Sequence, residues 1–241
     1  MDKRNSRKAP NHIPLSTNEI LHSAKVEFTP VVDSAFAKEQ YFAIDMSSSN
    51  VNLSMEMLAK PVEHHQYLQD LLHRNNAKVA YGGYLEYRSL YDRSNHFQAN
   101  DSKDKRNIHL GIDLWCPANT NVLSPLKGLI HSFQVNKNYG DYGPTLILQH
   151  RISGFVFHTL YGHLSEASLK NKNVGQHVQS GEVIGTLGSS EVNGEYAPHL
   201  HFQIIADLEG NYGDYPGVCS QNTLDYYRQN CPDPNLILKI D

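Results

Sequence analysis

A mainly β fold is predicted: an antiparallel sandwich- or barrel-like core with an open groove, preceded by an N-terminal α/β extension. Three observations predict it. From about residue 77, short β-type runs alternate with turn signals: "NVLSPLKGLIHSFQV", "PTLILQH", "FVFHTLYGHL", "EVIGTLG" and "HLHFQII", separated by "NYGDYG", "ISG", "QSGE" and "SSEVNGEYAP". Many short strands at this spacing mark a sandwich or barrel. Strand alternation leaves one face polar, as an antiparallel sheet with one open face requires. In "EYAPHLHFQII", Leu200, Phe202 and Ile204 share one face while His199, His201 and Gln203 share the other. Residues i and i+2 lie ~6.6 Å apart along a strand, so the two imidazoles stand side by side.

Along the chain, residues 1–75 form an N-terminal extension, beginning with a loose arm over about residues 1–25. "VEFTPVV" and "YFAIDMS" are β-branched or aromatic runs, each predicted to form a strand. "EHHQYLQDLLHRNN" places Tyr67, Leu68, Leu71 and Leu72 at helical spacing, so a short amphipathic helix is expected there. His64, His65 and His73 then fall on its polar surface. Residues 76–215 form the β core and residues 216–241 the tail, with a short helix over "NTLDYYRQN". No repeat of solenoid length occurs.

The chain has 241 residues, 39% of them hydrophobic, with a net charge of −4 at neutral histidine. That balance suits an ordinary globular chain and argues against a nucleic-acid platform, which would be basic. The basic cluster Lys3, Arg4, Arg7 and Lys8 is followed by a segment broken by Pro10 and Pro14, not by the apolar stretch of a secretory signal. No run reaches the ~18 apolar residues of a membrane span. A cytoplasmic location is expected, with export of a longer precursor left open. Cys116, Cys219 and Cys231, an odd and low count, fit a reducing compartment and free thiols. A bridge between Cys219 and Cys231 stays open, as does the oligomeric state.

Chemistry concentrates in two segments. In "NIHLGIDLW", His109 and Asp113 are i and i+4, and Asn107 and Gly111 disfavour a helix, so an extended segment is expected. The second is the H-x-H of His199 and His201, with another histidine, His163, in "LYGHLS". Zinc takes nitrogen and oxygen ligands, and catalytic sites pair three protein ligands with water. Two histidines and one carboxylate leave a Lewis-acidic centre, and further imidazoles can act as base and electrophilic donor. Cys116, close to Asp113, reads either as a thiolate ligand or as a buried apolar thiol in "LWCPA", the second being preferred. His131, His150, His158 and His177 read as structural histidines.

"H-L-G-I-D", followed downstream by "L-Y-G-H-L-S" and "P-H-L-H-F", resembles the lysostaphin/LytM-type zinc metalloendopeptidases. The resemblance covers roughly residues 105–206, and "SPLKGLIHSF", "YGPTLILQH" and "GQHVQSGEVIGTLGSS" follow that family's strand and turn order. It implies one Zn²⁺ per chain held by His109, Asp113 and His201, with His163 and His199 as catalytic histidines. A peptide or peptidoglycan-like substrate is implied as the partner. "GGYLEYRSLYDRS" and "DYPGVCSQ" also look like the peptidase-like module that larger proteins join to a sugar-kinase-like domain and a class III aminotransferase domain. A second reading is a non-peptidase zinc-binding or carrier module, since "VGQHVQSGEVIGTLG" also resembles the hybrid motifs of biotinyl and lipoyl carriers. Lys127, the lysine such a carrier would modify, lacks the flanking methionine, and Asp113 favours the zinc site. A folded but inactive zinc protein stays open at this stage.

Overall fold

The computed structural model describes residues 16–33, 35–94, 97 and 101–240. The strands are β1 (Tyr41–Ala43), β2 (Val79–Gly82), β3 (Ile108–His109), β4 (Ile112–Trp115), β5 (Asn121–Leu123), β6 (Gly128–Asn136), β7 (Gly143–Ile152), β8 (Phe155–Gly162), β9 (His177–Val178), β10 (Val183–Thr186), β11 (His199–Ile205) and β12 (Val218–Cys219). The helices are α1 (Thr17–Ser23), α2 (Met55–Leu58), α3 (Pro61–Arg74), α4 (Leu224–Asn230) and α5 (Asn235–Leu238).

Eight strands make one sheet in the order β1-β2-β4-β11-β8-β7-β6-β9, and the pairs β5–β10 and β3–β12 form two small ribbons. The sheet is antiparallel except for β1 and β2, which run parallel. It ends at β1 and β9 without joining them, so the barrel-like alternative gives way to an open sheet with ribbons on its faces. Two runs of the extension depart from expectation. "VEFTPVV" forms no strand and contributes only the isolated bridge Val32–Val122, as a run containing Pro30 with no donor N–H would. Of the expected loose arm, residues 1–15 lie outside the described residues, while Thr17–Ser23 is helical, started by a capping box between Ser16 and Glu19. Among the described residues, no helix is long and apolar enough to cross a membrane.

The two faces of the sheet carry different loads. On one, Leu114, Leu146, Leu148, Tyr161, Leu200, Phe202 and Ile204 pack with Val122 and Ile184 of the β5–β10 ribbon. On the other, Ile147, Leu160 and Ile205 pack with Ile108 and Cys219 of the β3–β12 ribbon. All seven residues of β11 are buried, and its alternation puts His199, His201 and Gln203 on the second face with Ile205. A third cluster joins Leu58, Leu68 and Leu72 of the extension to Leu90, Trp115 and Tyr196 of the core. The extension is therefore tied to the core both through the sheet, by β1 against β2, and through side chains.

Candidate metal centre

Strand register assembles the site. His201 on β11 lies directly opposite Asp113 on β4, and also opposite Gly162 at the end of β8, next to His163. His109 enters from β3, separated from β4 by Leu110 and Gly111. Gly111 is required there: a Cβ at this position would sit 2.6 Å from Cε1 of His201. His163 adopts a left-handed backbone, φ 63°, a conformation uncommon outside glycine. It turns the chain out of β8 and sets its ring 4.1 Å, centroid to centroid, from that of His199.

Three ligand-type atoms converge. His109 Nε2 lies 2.9 Å from His201 Nδ1, and Asp113 Oδ1 lies 3.3 Å from the first and 3.2 Å from the second. The far side of each ring decides what these atoms present. His109 Nδ1 lies 2.9 Å from the carbonyl of Gly83, which only accepts, so Nδ1 carries the proton. Gln203 donates its amide N–H to the carbonyl of Pro216, which turns its Oε1 toward His201 Nε2 at 2.9 Å and places the proton there. Both inward nitrogens therefore hold lone pairs, facing each other and a carboxylate oxygen. Three acceptors this close need a cation between them.

The donor set fits a metal. Two imidazoles and a carboxylate are ligands that zinc accepts, and tetrahedral bonds of ~2.0–2.1 Å put neighbouring ligand atoms ~3.3 Å apart, close to the distances found. His109, Asp113 and His201, all buried, are the one such group among the described residues. Burial and the positive charge of Arg88 push His109 down to about 3, so it is neutral at ordinary pH. Burial works against the charge of Asp113, but the cationic surroundings, with the Arg88 guanidinium bonded to Oδ2, outweigh it and hold the carboxyl well below its usual range.

His163 and His199 line the same cavity. Each has Nδ1 2.8 Å from a main-chain carbonyl, of Asn193 and Ala197 respectively, which leaves Nε2 as the lone pair. His199 Nε2 reaches to 3.8 Å from Asp113 Oδ1, outside the triad. Burial depresses both pKa values, His163 well below its ordinary value. The cavity, about 240 Å³, has walls rich in aromatic rings: Tyr91, Trp115, Tyr142, Tyr196 and Tyr215. Trp115 stacks on His199, with ring centroids 5.6 Å apart.

Two residues here, Arg88 and Tyr142, are not singled out by the sequence, and a third, His64, lies elsewhere than the sequence predicts. Arg88, 1% exposed, donates to Asp113 Oδ2 at 2.5 Å and to Glu86 Oε2 at 2.6 Å. Tyr142 brings its hydroxyl to 3.4 Å from His201 Nε2. His64, expected on the polar face of α3, is instead buried and lines the cavity, whereas His65 is half-buried and His73 exposed. Cys116 is a buried unbridged thiol outside the ligand group, and Cys219 and Cys231 are likewise unbridged.

An open β sheet gathers two histidines, an aspartate and two further imidazoles around one cavity. Residues 107–213 match the profile of Peptidase family M23. Two curated relatives are lysostaphins: that of Staphylococcus staphylolyticus is 32% identical over 104 residues, covering 43% of this chain and 20% of its own, and that of Staphylococcus simulans is 30% identical, covering 43% and 19%. This chain thus spans about a fifth of the length of those relatives. Among solved structures, the catalytic domain of the antimicrobial peptidase lysostaphin from Staphylococcus simulans aligns at 23% identity and a TM-score of 0.37, over 68% of this chain and 97% of that one. Residues 107–213 are thus similar in sequence to Peptidase family M23 and to the lysostaphins.

Proposed function

We propose that this protein is a zinc-dependent metallopeptidase that hydrolyses peptide (amide) bonds. One zinc per chain is held by His109, Asp113 and His201, and His163 and His199 are the catalytic histidines. The observation that carries this reading is the convergence of the His109, Asp113 and His201 lone pairs beside two more neutral imidazoles in one cavity. Bound there, zinc supplies a Lewis acid toward the scissile carbonyl and an acidified water.

The chain's own residues do the rest. His163 and His199 each offer an unprotonated Nε2, so one accepts a proton and returns it to the leaving amine. The carbonyls of Asn193 and Ala197 behind them stabilise the protonated ring while it lasts. Arg88 holds Asp113 ionised and, through Oδ2, turns Oδ1 toward the centre. Burial keeps the Tyr142 phenol protonated, so it is a donor toward an oxygen of the bound peptide. The aromatic walls give an extended peptide apolar contact and exclude bulk water. A peptidoglycan-like peptide is the first substrate candidate, because the curated relatives are lysostaphins.

Elemental analysis of protein purified without chelators, together with a cleavage screen, tests the reading. The screen uses a glycine-rich peptide, a wall peptide containing D-amino acids and a cytoplasmic peptide pool. One zinc per chain and chelator-sensitive cleavage of one of the three are expected. No zinc after reloading, or zinc with no cleavage, would remove the peptidase reading.

A further inference from the structure

Arg93 ends the short 3₁₀ turn Ser89–Arg93, which directly follows Arg88. Its guanidinium donates from Nη1 to the carbonyl of Glu195 at 2.9 Å and from Nη2 to the carbonyl of Gly194 at 3.1 Å. It also lies over the ring of Tyr196, 3.9 Å from the centroid, and 5.0 Å from that of Tyr139. The turn it grips needs holding. Gly194 and Glu195 both have left-handed backbones, φ 84° and 64°, and the second is a conformation that residues with a Cβ rarely adopt. Asn193, just before them, is fully buried, and its carbonyl accepts the hydrogen bond from His163 Nδ1. Tyr196, just after them, packs edge-on against both His163 and His199, with centroids 5.1 and 5.6 Å apart. One planar cation therefore touches two carbonyls and a ring beside the support of His163. Arg88, five residues earlier, bonds Asp113, so one stretch outside residues 107–213 braces both a metal ligand and a catalytic histidine.

We propose that Arg93 is a positioning residue for His163: its guanidinium fixes the 193–196 turn so that the Asn193 carbonyl keeps the His163 proton on Nδ1 and leaves Nε2 free. The inference rests on the peptidase reading above, in which His163 Nε2 must be able to accept a proton. Which nitrogen of a neutral imidazole is free is set by the hydrogen bond that the other makes. Here that bond ends on a turn with two left-handed residues, and Arg93 restrains the turn from outside. A guanidinium can bond two carbonyls and stack on a ring at once, whereas a lysine ammonium has no such fork. The turn keeps other ties: the Gly140 N–H donates to the Gly194 carbonyl at 3.2 Å and the Tyr196 hydroxyl to the Gly140 carbonyl at 2.7 Å. Loss of Arg93 should therefore loosen the turn without unfolding it.

The test compares wild type with Arg93→Met, which keeps an apolar stem over Tyr196 but no donor, and with Arg93→Lys, which keeps the charge and one donor group. Nitrogen NMR of the histidine rings in the zinc-free protein at neutral pH reads the tautomer directly. In wild type, His163 should carry its proton on Nδ1. In Arg93→Met, the His163 signals should move toward a mixture of both tautomers, while those of His201, held by Gln203, stay fixed. On whichever of the three screening substrates the wild type cleaves, Arg93→Met should keep one zinc per chain. It should lose kcat by about 10–100-fold, the penalty for a misplaced catalytic group, with KM changed much less. Arg93→Lys should recover part of the kcat and part of the His163 tautomer, and it carries the same comparison if Arg93→Met does not fold. An unchanged His163 tautomer, or an unchanged kcat, would overturn the inference while leaving the peptidase reading intact. So would a loss of kcat that comes with lost zinc or altered His201 signals, which would make Arg93 a general support of the fold. A wild type that cleaves none of the three substrates would remove the peptidase reading alone; the tautomer shift would still uphold, or its absence overturn, the hold of Arg93 on His163.

Discussion

His199 and His201 stand on one face of one strand, yet the groups behind them give them different work. His201 is locked by Gln203 with Nδ1 in the triad, whereas His199 points Nε2 at the cavity from 3.8 Å beyond Asp113. His201→Ala should therefore strip zinc. His199→Ala should keep it and lose turnover by about 10²–10⁴-fold, as for a lost acid–base group. Zinc content and peptide hydrolysis measured on both variants decide the matter; equal zinc loss would mean a closed four-ligand site. Arg88 makes a second residue-scale claim. Its guanidinium is the buried counterion of both Asp113 and Glu86. Arg88→Met leaves those carboxylates uncompensated and should destabilise the zinc-free protein by about 3–5 kcal/mol. Zinc restores a positive charge beside Asp113, so the rise in melting temperature on adding it should be larger in the variant than in wild type. Melts of both proteins with and without zinc check this, and an unaltered zinc-free melt would show that Arg88 carries no such load.

At the scale of elements, the site depends on β3, β4 and β11 meeting without a side chain between them. Gly111→Ala would press a methyl group against the His201 ring at 2.6 Å and the Phe202 carbonyl at 2.8 Å. Overpacking of this kind costs about 1–3 kcal/mol, so zinc affinity should fall about 10–100-fold while the far-UV spectrum stays that of the folded sheet. Unchanged zinc affinity would mean that the ring has room to move. The core strands and the candidate residues His109, Asp113 and His201 that converge were legible because both depend on local information: period-2 alternation, turn glycines, and histidines two residues apart. What sequence left unread depends on long-range pairing. Arg88 and Asp113 are 25 positions apart, and nothing near "EYRSL" signals that its arginine is buried on a carboxylate. The parallel pairing of β1 and β2 across α3 is likewise invisible to a local pattern. Histidine counts as polar, so composition places His64 on the polar face, although its i, i+4 relation to Leu68 puts it on the apolar stripe. Pro30 defeated "VEFTPVV" as a strand, a local signal outweighed there by β-branched composition.

For the molecule as a whole, a fold that buries neutral imidazoles depends on pH even without its metal. His150 isolates the effect, because it lies outside the ligand group. It is 1% exposed, bonded at Nδ1 to the carbonyl of Lys127 and at Nε2 to the Thr159 hydroxyl, and burial pushes it down to about 4. In the unfolded chain the same group titrates near ~6.5. Between these values the unfolded state binds the proton and the folded state does not. The stability associated with a neutral His150 is therefore fully present above pH ~6.5 and lost as pH falls toward 4, amounting to about 3 kcal/mol at the lower end. Buried histidines at the site, His109 and His163 among them, add losses of the same sign, since burial depresses them too. Urea unfolding of the zinc-free protein at pH 7, 6 and 5 should thus show stability falling steeply with acid. In His150→Gln, which cannot titrate, the slope should be shallower by about one proton, or ~1.4 kcal/mol per pH unit, whatever the variant's stability at pH 7. Zinc competition plays no part in that comparison, so the slope reports the fold alone. An identical slope in wild type and variant would mean that folded His150 takes up its proton as readily as the unfolded chain does.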